Sequence, residues 1–176
     1  TNGLLNTIGS ESELVAILAH EMGHIELSHC FDHVRFELLA RKIESDALGS
    51  LADLAIDIII GHSFSKTMEN EADEYSYLTI LGTIYDPFGP AKAFISLEKW
   101  EQNSGYIENK SETDILRDYF SSHPPLALRI EKFVEEALAW QSRHKNISRY
   151  IGSENLINRT AYSDKDYGAG EWTISN

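Results

Sequence analysis

Residues 18 to 29 read LAHEMGHIELSH, three histidines and two glutamates in a run that otherwise suits a buried helix. His20 and His24 are four residues apart, which on a helix turns one imidazole only about 40° from the other and one turn along. Two imidazoles so spaced can hold one Zn²⁺ and leave it an open coordination position. Glu21 lies on the same side, and in an H-E-x-x-H arrangement the glutamate is not a ligand but takes a proton from the water that attacks the substrate. The preceding LVAILA (14–19) is apolar. Buried His and Glu are costly without a partner, and a shared metal answers that cost for all of them.

Zinc then needs a third protein ligand. The extended form H-E-x-x-H-x-x-G-x-x-H requires Gly at 27 and His at 30, where this chain has Leu27 and Cys30. His29 is five residues past His24, about 140° round a continuous helix, and is expected to bond locally or face solvent; His33 is no better placed. A later helix supplies the alternative. MENEADEYS (68–76) offers Glu69, Glu71, Asp73 and Glu74, and periodicity alone does not choose among them.

Helices must bring these groups together. Ser10 and Glu13 form a capping box ahead of an apolar-periodic run, so the first helix is expected from Ser10 to about His29. Further helices are expected over roughly 31–61, 66–83, 90–102 and from SSHPP (121–125) to about His144, the last entered through proline. Residues 1–9 suit an edge strand or a loop. From Asn146 onward turn residues dominate, which suits a tail draped on the domain or partly disordered. The fold class is therefore mainly α, with few short strands, and the organisation one domain over 1–145 followed by a tail over 146–176.

Composition narrows the partners. The chain has 176 residues, 42% of them apolar, enough for one core. Its net charge of −13 repels nucleic acid and anionic lipid. A single cysteine, Cys30, rules out an internal disulfide and CxxC zinc ribbons. The longest apolar stretch, LADLAIDIIIG (51–61), carries two aspartates and is about half the ~20 residues of a membrane span. The chain opens at Thr1 without a methionine or leader, as a processed form or an excised domain would.

GLLNTIGSESELVAILAHEMGHIELSH (3–29), FSKTMENEADEYS (64–76), YDP (85–87) and SSHPPLALRI (121–130) together resemble the M48 family of zinc metallopeptidases, within the gluzincins. The resemblance implies a zincin-like catalytic domain holding one Zn²⁺ per chain through His20, His24 and Glu71, with Glu21 as general base. It implies that His123 and Arg129 return to the site, where His123 donates to the oxyanion or fills a resting zinc position and Arg129 steadies the tetrahedral intermediate. A helix-entry role for His123 before Pro124 weighs about equally. Asp73 is expected to orient a ligand histidine or to serve structure alone. Protein or peptide substrates, a role in protein quality control and a cell-envelope location belong to the same expectation. The alternatives are a zinc-stabilised, chaperone-like holding module and a protease inhibited by its own His123.

Overall fold

The computed structural model describes residues 2–40, 64–104, 123, 127–165 and 167–174, with residues 36–40 described by backbone alone. The helix expected over 31–61 is therefore seen only to residue 40.

Helix α1 spans Asn2–Thr7, α2 Glu11–Glu26, α3 His29–Ala40, α4 Lys66–Leu81, α5 Gly89–Ser104, α6 Ala127–Arg143 and α7 Ser153–Ile157. The fold is mainly α. Among the described residues the only β pairing is a pair of isolated bridges, Tyr85 with Tyr150 and Tyr150 with Trp172. Residues 2–7, expected as strand or loop, are helical, and Gly3 sits inside that turn instead of breaking it.

The start of α2 follows the capping box. Ser10 is extended at φ −157°, its hydroxyl accepts from the Glu13 amide, and Glu13 Oε2 accepts from Gly9 N at 3.0 Å. The tail completes the cap. Glu11 N donates to the Gly152 carbonyl at 3.1 Å and Ser12 N to that of Ile151 at 3.0 Å, satisfying donors the helix itself leaves open. Gly152 has φ +73°, and a Cβ there would stand 2.8 Å from Glu11 Cβ, so glycine is required. At the far end of α4, Arg149 Nη2 donates to the Ile80 carbonyl at 3.0 Å and Nε to that of Tyr85 at 2.9 Å. Residues 147–174 thus tie the two site helices from one end.

Helix α2 packs on α4 and α5, and α5 on α6. The core between them holds Ile17, Tyr77, Phe94, Leu97 and Phe133, with Ile80 also fully buried. Helices α2 and α4 approach closely at Gly23, where a Cβ would meet Ala72 Cα at 3.1 Å and Tyr75 Cβ at 3.1 Å. Ser76 Oγ fixes their register, donating to the Ala16 carbonyl at 2.8 Å.

Candidate metal centre

Helix α4 buries Glu69, Ala72, Asp73, Ser76, Tyr77 and Ile80. Their spacing of three and four residues is one helix face, and it is the face laid against α2. Glu69 and Asp73 reach the histidines because they lie on it, one turn apart. Glu71 is two residues from Glu69, about 200° round the helix, and so cannot join them.

This corrects the expected ligand set. Glu69, not Glu71, converges with the two histidines. Its Oε1 lies 3.3 Å from His24 Nε2 and its Oε2 3.5 Å from His20 Nε2. The side chain of Glu71 is 53% exposed, and its carboxylate meets His29 Nε2 at 3.0 Å instead.

His20, His24, Glu69 and His123 form one buried group whose ligand atoms all lie within 4.8 Å of one another. His20 Nε2 is 3.1 Å from His24 Nε2 and 3.4 Å from His123 Nδ1, and His123 Nδ1 is 2.8 Å from Glu69 Oε1. Donors placed tetrahedrally around zinc at about 2.0–2.1 Å stand about 3.3 Å from each other. His20 Nε2 and His24 Nε2 stand 3.1 Å apart, close to that edge, each has one oxygen of the Glu69 carboxylate at 3.3 to 3.5 Å, and the N/O donor set is the one zinc takes. The residues present fit a zinc ion.

The electrostatics of the group divide along α2. Burial opposes charge on His20, but hydrogen bonds to Asp73 and Glu69 outweigh it and raise its pKa above 6.5. For His24 burial wins, aided by the nearby His20, and the pKa is lowered. Burial would push Glu69 up, yet hydrogen bonds from His123, His20 and His24 hold it well below the usual carboxylate range. Asp73 is likewise held down, burial being outweighed by its bonds with His20 and Arg129.

Asp73 is fully buried and stands behind His20, Oδ1 at 3.0 Å from Nδ1. An Nδ1–H donated there leaves the Nε2 lone pair facing the cluster, the usual bracing of a metal-ligating histidine. Arg129 was expected beside the reacting carbonyl. It sits behind the carboxylates, Nε and Nη2 donating to Asp73 at 2.7 and 2.6 Å and Nη1 at 2.8 Å from Glu69 Oε2. Its guanidinium also lies over the Phe94 ring at 4.2 Å.

Glu21 lies at the edge of the group, its side chain 42% exposed and its Oε1 3.6 Å from His123 Nε2. This Oε1 is itself buried and has no hydrogen-bond partner among the described residues. Phe64 covers His24 at 4.0 Å between ring centroids.

His29 does not lie where a continuous helix would put it. It is buried, with Nδ1 3.1 Å from His24 Nδ1. A continuous helix would have turned it away, but α2 stops at Glu26 and Ser28 adopts φ +60°. The break swings His29, the first residue of α3, back toward the site.

The sequence model of peptidase family M48 matches residues 1–137, and the chain belongs to that family. It is 27% identical over 126 residues to mitochondrial metalloendopeptidase OMA1 of Arabidopsis thaliana, covering 69% of this chain and 24% of that protein. It is 29% identical over 111 residues to metalloprotease LoiP of Escherichia coli, covering 57% of this chain and 44% of that one. The chain thus spans under half the length of these curated relatives. No solved structure matches it. No helix among the described residues is long and apolar enough to cross a membrane.

Proposed function

We propose that this chain carries the catalytic site of a zinc-dependent endopeptidase, with residues 1–145 as the peptidase domain and 146–176 as an appended tail. The observation that supports it most is the convergence of His20 Nε2, His24 Nε2 and the Glu69 carboxylate at the spacings of a zinc coordination shell, with Glu21 alongside. Zinc held there is a Lewis acid that polarises a carbonyl and lowers the pKa of water from ~15.7 toward about 7.

The chain's own residues do the rest. Asp73 and Arg129 keep His20 Nε2 aimed inward, and Gly23 lets Glu69 come close enough to share the site. Glu21, half in water and with one oxygen that has no hydrogen-bond partner among the described residues, takes the proton of the attacking water and passes it to the leaving amine. His123 faces the same space and donates a ring N–H to the oxygen that gains charge. One Zn²⁺ per chain, protein or peptide substrates, a quality-control role and an envelope location complete the reading, the last two on family resemblance.

Glu21→Gln tests it. The variant is expected to bind zinc as the parent does while casein cleavage falls about 10²–10⁴-fold. A variant that cleaves as fast as the parent rules the mechanism out.

One observation favours a second reading. His123 Nδ1 lies 3.4 Å from His20 Nε2 and 2.8 Å from Glu69 Oε1, close enough to complete a fourth position. A site closed by four protein ligands is at rest, as in structural zinc sites. On this reading His123→Ala cleaves faster than the parent; a variant no faster removes its basis, and with it the self-inhibited alternative.

A further inference from the structure

His20 has a carboxylate on its outer nitrogen, and His24 has an imidazole. His24 Nδ1 lies 3.1 Å from His29 Nδ1, and His29 Nε2 lies 3.0 Å from Glu71 Oε2. We infer that His29 and Glu71 are positioning residues for His24, a relay that delivers a carboxylate's hydrogen-bonding to that ligand through an intervening ring. The inference rests on the zinc site proposed above.

The proton positions follow from the contacts. For His24 to present the Nε2 lone pair to a metal, its proton sits on Nδ1. The Nδ1–H then donates to His29, whose Nδ1 must accept, so the His29 proton sits on Nε2. That N–H faces the Glu71 carboxylate, which accepts it. Every donor in the chain meets an acceptor, and reversing any one ring breaks it. A carboxylate at the end favours this order, as it does when bound directly to a ligand histidine.

The backbone supports a built contact. Ser28, which lies between α2 and α3, holds φ +60°, a conformation that costs a non-glycine residue and persists where surroundings demand it. It carries the chain round so that His29 is 3% exposed against His24 rather than in water. Glu71, on the face of α4 opposite Glu69, then has a specific task despite its exposure.

Zinc dissociation constants, measured by competition with a chromogenic chelator, test the relay in four proteins: parent, Glu71→Ala, His29→Ala and the double variant. Melting of the metal-free forms is followed in parallel. Glu71→Ala is expected to bind zinc about 10-fold more weakly, and His29→Ala between that and about 100-fold, the range for partners of metal ligands. The double variant should bind no more weakly than His29→Ala, because Glu71 acts only through that ring. His29→Gln, whose amide oxygen can accept from His24 Nδ1–H, should recover part of the loss. Metal-free Glu71→Ala should melt with the parent, separating the relay from a purely structural role.

The inference is overturned if Glu71→Ala binds zinc as tightly as the parent, or if the double variant loses the product of the two single effects. Glu71 is on the surface, so its variant folds and decides the matter even if His29→Ala does not. A parent that binds no zinc overturns both this inference and the proposed function; a parent that binds, with Glu71→Ala unchanged, overturns this inference alone.

Discussion

The two histidines of H-E-x-x-H stand one turn apart on α2, yet their supports are opposites. Behind His20 lies Asp73, fully buried and gripped at two atoms by Arg129. Behind His24 lies His29, and beyond it Glu71, whose side chain is half in water. The first support is part of the protein's interior, and removing any piece leaves a buried charge without its counterpart. The second is layered outward from the site and ends at the surface. If both supports aim a lone pair inward as proposed, that task is coupled to folding at Asp73 and Arg129 and only weakly so at the outer end, Glu71.

Changes on the two sides should separate stability from metal affinity. The largest expected effect is that of Arg129→Ala, which leaves Asp73 and Glu69 buried beside each other; breaking such a network costs about 3–5 kcal/mol. Urea unfolding of the metal-free protein measures it, and a loss of the size seen at a surface site would erase the contrast. Next is Gly23→Ala. Its Cβ would press on the α4 backbone at Ala72 and on Tyr75. Overpacking of this kind costs about 1–3 kcal/mol. Because it moves α4 away from α2, it should weaken zinc binding as well as lower the melting temperature, striking both supports together.

Ser28→Gly sharpens the comparison from the other direction. Relief of the positive φ, partly offset by glycine's greater freedom in the unfolded chain, should stabilise the protein by up to about 1 kcal/mol. A melting temperature below the parent's would show that Ser28 is not strained. Smallest is Glu71→Ala, expected to change folding stability by no more than about 0.5 kcal/mol, as at ordinary surface positions. A larger loss in the same urea titration would put Glu71 in the fold rather than at the end of a relay.

What could be read from the sequence follows the same division. The capping box at Ser10 and Glu13 placed the start of α2, and α4 and α5 lie close to the expected 66–83 and 90–102. His20, Glu21 and His24 were legible because their spacing alone puts them on one side of a helix. Glu69 was legible in principle. Glu69, Ala72, Asp73, Ser76, Tyr77 and Ile80 mark a single buried stripe and Glu71 falls outside it, which the E-A-D element alone does not show. His29 was not legible. Nothing in Ile25-Glu26-Leu27-Ser28 announces a helix end, since neither glycine nor proline is there, and the turn rests on a serine in the left-handed region. The helix at residues 2–7 was hidden by the reverse signal, a glycine, Gly3, inside a backbone that stays helical.

On the proposed reading Glu69 completes the metal centre while Glu71 only supports it. Zinc per chain in freshly purified parent, Glu69→Gln and Glu71→Gln, measured by atomic emission after dialysis against a weak chelator, tests this directly. A full equivalent is expected in the parent, little or none in Glu69→Gln, and retained zinc with weakened affinity in Glu71→Gln. Zinc retained by Glu69→Gln and lost from Glu71→Gln would contradict it.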